Sequence, residues 1–224
     1  MEIKVLKDIL GANEQIAEKN RQLLDESGVF AIDVMSSPGA GKTSLILETI
    51  KQLKGETRIG VIEGDVSSSV DAETIGSENV PVLQINTGGE CHLDASMTSR
   101  ALADLPLHDI ELLFIENVGN LICPSEFALG AHRRILISST PEGDDKPLKY
   151  PLMFTVADAV LINKMDLLPH LKFDTGAYKK AVKNLNDRAE IIEVSCTTGQ
   201  GIDQWLAWLQ NQLRLLLPPL HSMS

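Results

Sequence analysis

Cysteine is scarce in this chain: 224 residues contain three, Cys91, Cys123 and Cys196. A set that small and odd is no disulfide framework, which leaves ligand or packing roles in a reducing, cytoplasmic setting. Long hydrophobic runs are missing as well, so no segment reads as a membrane span. The N-terminus, MEIKVLKDILGANEQIAEKNRQ, carries charges throughout and fits neither a signal peptide nor a membrane anchor. A basic surplus is also absent. Lys and Arg number 20 against 31 Asp and Glu, for a net charge of −11, which excludes the basic footprint of general nucleic-acid binding. It leaves nucleotide binding open, because a phosphate site is built from backbone N–H groups and one or two cations. Internal repeats and low-complexity stretches do not occur.

Hydrophobic residues at 43% and charged residues at 23% describe an ordinary globular chain, and the length suits one full-sized core. Apolar residues at helical spacing fill 3–27, and Gly28 provides a stop. Seven β-branched runs follow: Val29–Met35, Arg58–Glu63, Val80–Thr87, Glu111–Asn117, Arg134–Thr140, Ala157–Asn163 and Glu190–Ser195. Helical spacing recurs over 42–54, 92–105, 174–187 and 201–217. Strands alternating with helices predict an α/β fold with a mostly parallel sheet covered on both faces. Its ligands should gather beyond the carboxyl ends of the strands. The expected organisation is an N-terminal helical extension (1–28), a P-loop domain (29–217) and a frayed tail (218–224).

Ser36-Ser37-Pro38-Gly39-Ala40-Gly41-Lys42-Thr43 joins the first expected strand to a helix, the context in which a phosphate-binding P-loop forms. Glycines let the backbone curl so that N–H groups converge on phosphate oxygens. Residues Pro38 to Ser44 are therefore the expected phosphate contacts. Lys42 reaches toward the β- and γ-phosphates, and the Thr43 hydroxyl toward Mg²⁺. Ser36 stands where the general pattern has its first glycine. Asn163-Lys164-Met165-Asp166 closes a later strand. The Asp166 carboxylate can accept from guanine N1–H and the 2-amino group together, whereas adenine leaves it unpaired. Asn163 and Lys164 brace and cover the base, and Ser195 and Cys196, after the last strand, occupy the place of a backbone donor to guanine O6. The expected nucleotide is GTP.

Glu116-Asn117-Val118-Gly119 takes the place of the Asp-x-x-Gly of GTPases, with Glu116 toward Mg²⁺ and the Gly119 N–H toward the γ-phosphate. Asn120 stands where Ras-like proteins carry a water-orienting Gln; it is shorter, which predicts slow intrinsic hydrolysis. Asp65 and Asp71 are candidates for Mg²⁺ or the attacking water, and equally for helix capping. With Lys42 and Glu116 they make up the expected catalytic set. Cys91-His92, placed at the start of the 92–105 helix, and Cys123, four residues past Gly119, form a donor set of the kind Ni²⁺ and Zn²⁺ prefer. A helix N-terminus favours the thiolate form of cysteine. Three ligands leave a site incomplete, which a two-fold dimer could complete.

The strings SSPGAGKT, EGD, TGGECHLDA, FIENVGNLICP, PEGDDKPLKYP and NKMDLLP resemble the HypB family of hydrogenase nickel-incorporation GTPases over nearly the whole chain. The resemblance implies a SIMIBI-class P-loop fold, a GTP-dependent homodimer, and nickel delivery to a NiFe-hydrogenase large-subunit precursor with a HypA-type partner. It places interface ligands for Ni²⁺ or Zn²⁺ on Cys91, His92 and Cys123. The N-terminal Cys-rich motif and His-rich stretch of some members are missing, so nickel storage is not expected. Ala128 stands where members tend to be acidic, and Lys146 and Lys149 fit either a nucleotide-side or a solvated loop. The urease-type UreG family is a rival, but it uses a Cys-Pro-His arrangement where His92 here follows Cys91 directly. A GTP-gated dimeric scaffold without a metal role is a second rival, and an ATP-dependent kinase, disfavoured by Asp166, a third.

Overall fold

A computed structural model of the chain describes residues 2–65 and 70–216. The expected 218–224 tail lies outside the described residues. Seven strands form one sheet: β1 (Phe30–Ser36), β2 (Ile59–Asp65), β3 (Val82–Asn86), β4 (Leu112–Glu116), β5 (Arg133–Ser139), β6 (Ala159–Asn163) and β7 (Glu190–Glu193). Their order is β3-β2-β4-β1-β5-β6-β7, and every pairing is parallel. Parallel strands need crossover connections rather than tight turns. The helices among the described residues are α1 (Glu2–Glu26), α2 (Lys42–Leu53), α3 (Val70–Gly76), α4 (Ala95–Asp104), α5 (Lys146–Lys149), α6 (Pro151–Thr155), α7 (Thr175–Leu185) and α8 (Ile202–Leu216), and β4 alone is joined to the next strand, β5, without an α-helix. The parallel P-loop NTPase sheet with its N-terminal helix is the fold the motifs implied.

The central strands are apolar on both faces because both are covered. Phe30, Ile32 and Val34 of β1 pack with Leu45 and Ile50 of α2 and Trp205 and Leu209 of α8. The opposite face splits into two clusters. One joins Ala31 and Ile115 to Leu24 of α1 and Leu102 of α4; the other joins Met35 and Leu136 to Phe154 of α6 and Tyr178 of α7. Between Ala31 and Met35 on that face sits Asp33, with no exposure, so a polar seam divides the two apolar clusters.

Asp33 Oδ1 accepts from Asn117 Nδ2 at 3.1 Å, and Oδ2 lies 3.6 Å from Arg134 Nε. Burial raises its carboxyl to about 6, opposed by Arg134 and by the Asn117 hydrogen bond. The helix α1 is fastened by side chains as well as by Leu24. Asn13 accepts from Ala95 N–H and donates to Ala128 O, both at 2.8 Å, and Asn20 donates to Ala95 O and Leu129 O at 2.8 and 3.0 Å. Both asparagines are buried, and each ties the start of α4 to the 128–129 segment.

Beyond shifts of one or two residues at element ends, the structure differs from the sequence reading in one boundary and in three added helices. The expected 92–105 helix begins at Ala95, because the Asp94 carboxylate accepts from Met97 N–H at 2.7 Å and caps it. Cys91 and His92 thus lie in a turn before the cap rather than at the helix start. The helices α3, α5 and α6 are additional; each has seven residues or fewer, too short for periodicity to mark.

Candidate functional site

The carboxyl edge of the sheet gathers the motifs. β1 runs into the phosphate loop, where Gly39 (φ 72°) and Gly41 (φ 105°) take left-handed conformations. A Cβ on Gly41 would lie 2.3 Å from Asn163 Nδ2, so only glycine fits there. Gly119, at the end of the β4 loop, presses on the same loop: its Cβ would lie 2.9 Å from both N and Cα of Pro38. Lys42 Nζ donates to Ser36 Oγ at 3.3 Å and stands 4.0 Å from Glu116 Oε1. The hydroxyl of Ser36 thus meets the lysine at the position where the general motif has glycine.

Four carboxylates converge beneath this loop. Thr43 Oγ1 donates to Glu116 Oε1 at 2.8 Å. Glu116 pairs in register with Glu63 on the neighbouring strand, and both are buried. Among the described residues, neither Glu63 Oε2 nor Glu116 Oε2 has a hydrogen-bond partner. Burial raises Glu63 to about 8, reinforced by the charges of Glu116, Asp65 and Asp71. Glu116 is raised to about 7 by burial, with Lys42 and Thr43 opposing. The orphaned oxygen of Glu116, beside a threonine hydroxyl and with Glu63 in register on the next strand, suits a hard divalent cation with oxygen ligands. Asp65 ends β2 and Asp71 lies in the first turn of α3; the residues between them that would show a cap, 66–69, lie outside those described. Sequence reading passed over Glu63. The available signal was a glutamate inside the apolar run IGVIEGD.

At the base end, Asn163 Nδ2 donates to Ala40 O at 2.9 Å and Lys164 Nζ to Gly39 O at 2.6 Å. The NKMD segment is therefore latched to the phosphate loop. Ser195 Oγ accepts from Thr198 N–H at 3.2 Å and donates to Asp166 Oδ1 at 2.5 Å, which orients the carboxylate. Cys196 N–H points at Asn163 Oδ1 from 3.5 Å, and burial raises its thiol to about 11. The lysines of the 140–150 segment are tied locally: Lys146 lies 3.0 Å from Asp145 Oδ1, and Lys149 pairs with the other oxygen of Asp145.

Cys91, His92 and Cys123 come together. One donor atom from each lies within 4.8 Å of the others, close to the spacing that a single ion with bonds of about 2.0–2.3 Å requires. The two sulfurs are 3.2 Å apart, and Cys91 Sγ is 3.8 Å from His92 Nδ1. The thiol of Cys123 is held above its ordinary range by its hydrogen bond with Cys91 and by burial, so an ion there would be held more strongly as protons are withdrawn. The ring of Phe127 packs on His92 with centroids 4.1 Å apart. Below, Arg134 donates to Phe127 O at 2.8 Å and pairs with Asp33, so the seam in the core steadies the Cys123 segment. Cys196 stands apart, packed against the core.

The model of the CobW/HypB/UreG nucleotide-binding domain matches residues 30–193. The hydrogenase maturation factor HypB of Rhizobium leguminosarum bv. viciae is 49% identical over 208 residues, covering 93% of this chain and 70% of that protein. Among solved structures, HypB from Archaeoglobus fulgidus superposes with a TM-score of 0.86 at 43% identity, over 91% of this chain and 99% of the other. HypB from Helicobacter pylori, solved in complex with nickel, gives a TM-score of 0.88 at 36% identity, over 95% and 100% of the two chains.

Proposed function

On the premise that the chain belongs to the CobW/HypB/UreG nucleotide-binding family, we propose that it is a GTP-hydrolysing metallochaperone. It binds nickel at a GTP-dependent homodimer interface and delivers it, in the cytoplasm, to a NiFe-hydrogenase large-subunit precursor with a HypA-type partner. The observation that carries this reading is the meeting of Cys91, His92 and Cys123 within 4.8 Å, with Cys123 four residues beyond a glycine seated on the phosphate loop.

The phosphates lie along Pro38 to Ser44, with Lys42 at the β- and γ-positions and Gly119 N–H at the γ-phosphate. Asp166 reads guanine, with Asn163, Lys164, Ser195 and Cys196 around the base. Mg²⁺ supplies charge neutralisation on the phosphates when bound; Thr43, Asp65 and Glu116 would hold it, and the orphaned Oε2 of Glu116 suits that role. Asp65 or Asp71 faces the attacking water. Because Asn120 is short and its amide is engaged elsewhere, turnover by the protein alone is expected on the order of 10⁻² s⁻¹ or slower. A single-turnover assay checks this, and rapid unaided hydrolysis overturns it.

Three donors from one chain leave the ion unsaturated, and a two-fold copy would bring three more. Ile122, next to Cys123, is 59% exposed, and Leu148 and Leu152 are 76% and 59% exposed; such apolar groups suit a surface covered on dimerisation. The donor set accepts Zn²⁺ as readily as Ni²⁺. The nickel-bound relative from Helicobacter pylori favours nickel as cargo.

Ni²⁺ titration and solution sizing, with GDP and with a non-hydrolysable GTP analogue, test the reading. The analogue should give a dimer and change Ni²⁺ affinity by about 5-fold or more. Cys123→Ala should weaken Ni²⁺ binding by about 10-fold or more, since it removes one of three donors. Equal Ni²⁺ affinity with both nucleotides overturns the coupling. Unaltered affinity in the Cys91→Ala, Cys123→Ala double variant, with dimerisation intact, favours the scaffold reading.

A further inference from the structure

Gly119 is flanked by two asparagines whose side chains both turn away from the phosphate loop. Asn117 Oδ1 accepts from Leu93 N–H at 3.0 Å, and Asn120 Nδ2 donates to the carbonyl of Cys91 at 3.2 Å. Their backbone N–H groups face the other way, to Val34 O at 3.0 Å and to Ser36 O at 2.8 Å. The segment 117–120 is thus fastened to β1 and, at Ser36, to the start of the phosphate loop by its main chain, and to the Cys91–Leu93 turn by its side chains.

The two residues differ in what else they do. Asn117 is fully buried and bonds to Asp33, so the fold itself depends on it. Asn120 is only partly buried. Its Oδ1 accepts from Ile122 N–H at 2.9 Å, so one amide group grips the Cys91 turn and shapes the approach to Cys123. A side chain at this position that oriented water would have to point toward the nucleotide, and this one does not.

We infer that Asn120 is a positioning residue that carries the nucleotide state to both halves of the metal centre. This rests on the metal reading proposed above. Movement of Gly119 toward a γ-phosphate displaces the Asn120 backbone with it. Through a side chain of only two torsions, that displacement reaches Cys91 and the 122–123 turn together and changes the separation of the donors. Without the bridge, Gly119 would act on Cys123 only along an exposed loop, and on Cys91 not at all by this route. Coupling here is a difference in metal affinity between two nucleotide states.

The test is the ratio of Ni²⁺ dissociation constants in the GDP and GTP-analogue states of the full chain, for wild type, Asn120→Ala and Asn120→Asp. Asn120→Asp keeps the acceptor for Ile122 N–H but sets an oxygen against the Cys91 carbonyl. In both variants the ratio should fall to within about 2-fold of unity, while melting temperature and GTP-analogue affinity stay at their wild-type values. A wild-type ratio retained in Asn120→Ala overturns the assignment. Retention in Asn120→Asp alone overturns the bridge to Cys91, leaving only a local turn. A wild-type protein whose Ni²⁺ affinity ignores the nucleotide overturns the metal-coupling reading along with it.

Discussion

Asp166→Asn should lower GTP affinity by about 10³-fold, the loss of two hydrogen bonds to a charged acceptor at about 1.5–3 kcal/mol each. The direction follows from what holds the side chain. Thr198 N–H occupies the Ser195 hydroxyl as donor, so the single Ser195 proton goes to Asp166 Oδ1 at 2.5 Å. An asparagine keeps its oxygen on that proton and turns its NH₂ group to the base. The asparagine oxygen has a second lone pair for N1–H, but the 2-amino group of guanine then meets the NH₂, donor against donor. Xanthine keeps N1–H and replaces the amino group with a carbonyl, which the NH₂ can donate to. Binding of xanthosine triphosphate by Asp166→Asn should therefore approach the affinity of wild type for GTP. Fluorescent-nucleotide titration of both proteins with both bases measures it. Equal losses for the two nucleotides would place Asp166 in a structural role, and unchanged GTP binding would remove it from the base site. Equal wild-type affinity for ATP and GTP would revive the kinase alternative.

The parts legible in the sequence are those whose chemistry is contiguous along the chain. SSPGAGKT and NKMD each carry a loop, its strand end and its expected ligand groups within eight residues or fewer, and β1 begins and ends within one residue of the expected Val29–Met35. The grouping of Cys91 and His92 with Cys123 was anticipated from donor type, but the reason they meet is not local. It lies in Asn117 and Asn120, which cross between loops, and in Asn13 and Asn20 of α1, which tie the flanks of those loops together. The latch of Lys164 on Gly39 O spans 125 positions. No periodicity reports such contacts, because they depend on which strands become neighbours. What the sequence did offer was a charged residue inside a buried run: Asp33 in FAIDVMS and Glu63 in IGVIEGD. A lone carboxylate in a strand with both faces covered is costly, and in both places it marks the polar seam or the acid cluster that the site is built on.

Glu63 should make the nucleotide-free protein less stable as pH rises, and Glu63→Gln should abolish that loss. Its folded value of about 8 lies above the ordinary 4.5. The stability associated with its protonated form is therefore intact below about pH 4.5 and is lost as pH rises through about 8. Water reaching the phosphate cleft screens the interaction, which leaves about 2 kcal/mol, or about 4–8 °C in melting temperature for a chain of this length. The melting temperatures of wild type and Glu63→Gln should nearly coincide at pH 5, where both side chains are neutral, and separate by that amount at pH 8.5–9 with the variant higher. Parallel curves across the range would show that Glu63 does not hold a proton in the folded state. Saturating GTP and Mg²⁺ should narrow or reverse the gap, because a cation held by Thr43 and Glu116, in register with Glu63 on the adjacent strand, would favour the ionised form of Glu63. On that expectation Glu63 and Glu116, in register on adjacent strands, would cost stability when the site is empty and return it when the nucleotide is held. Such a pair would tie the phosphate loop to its ligand more tightly than a neutral pair of the same shape.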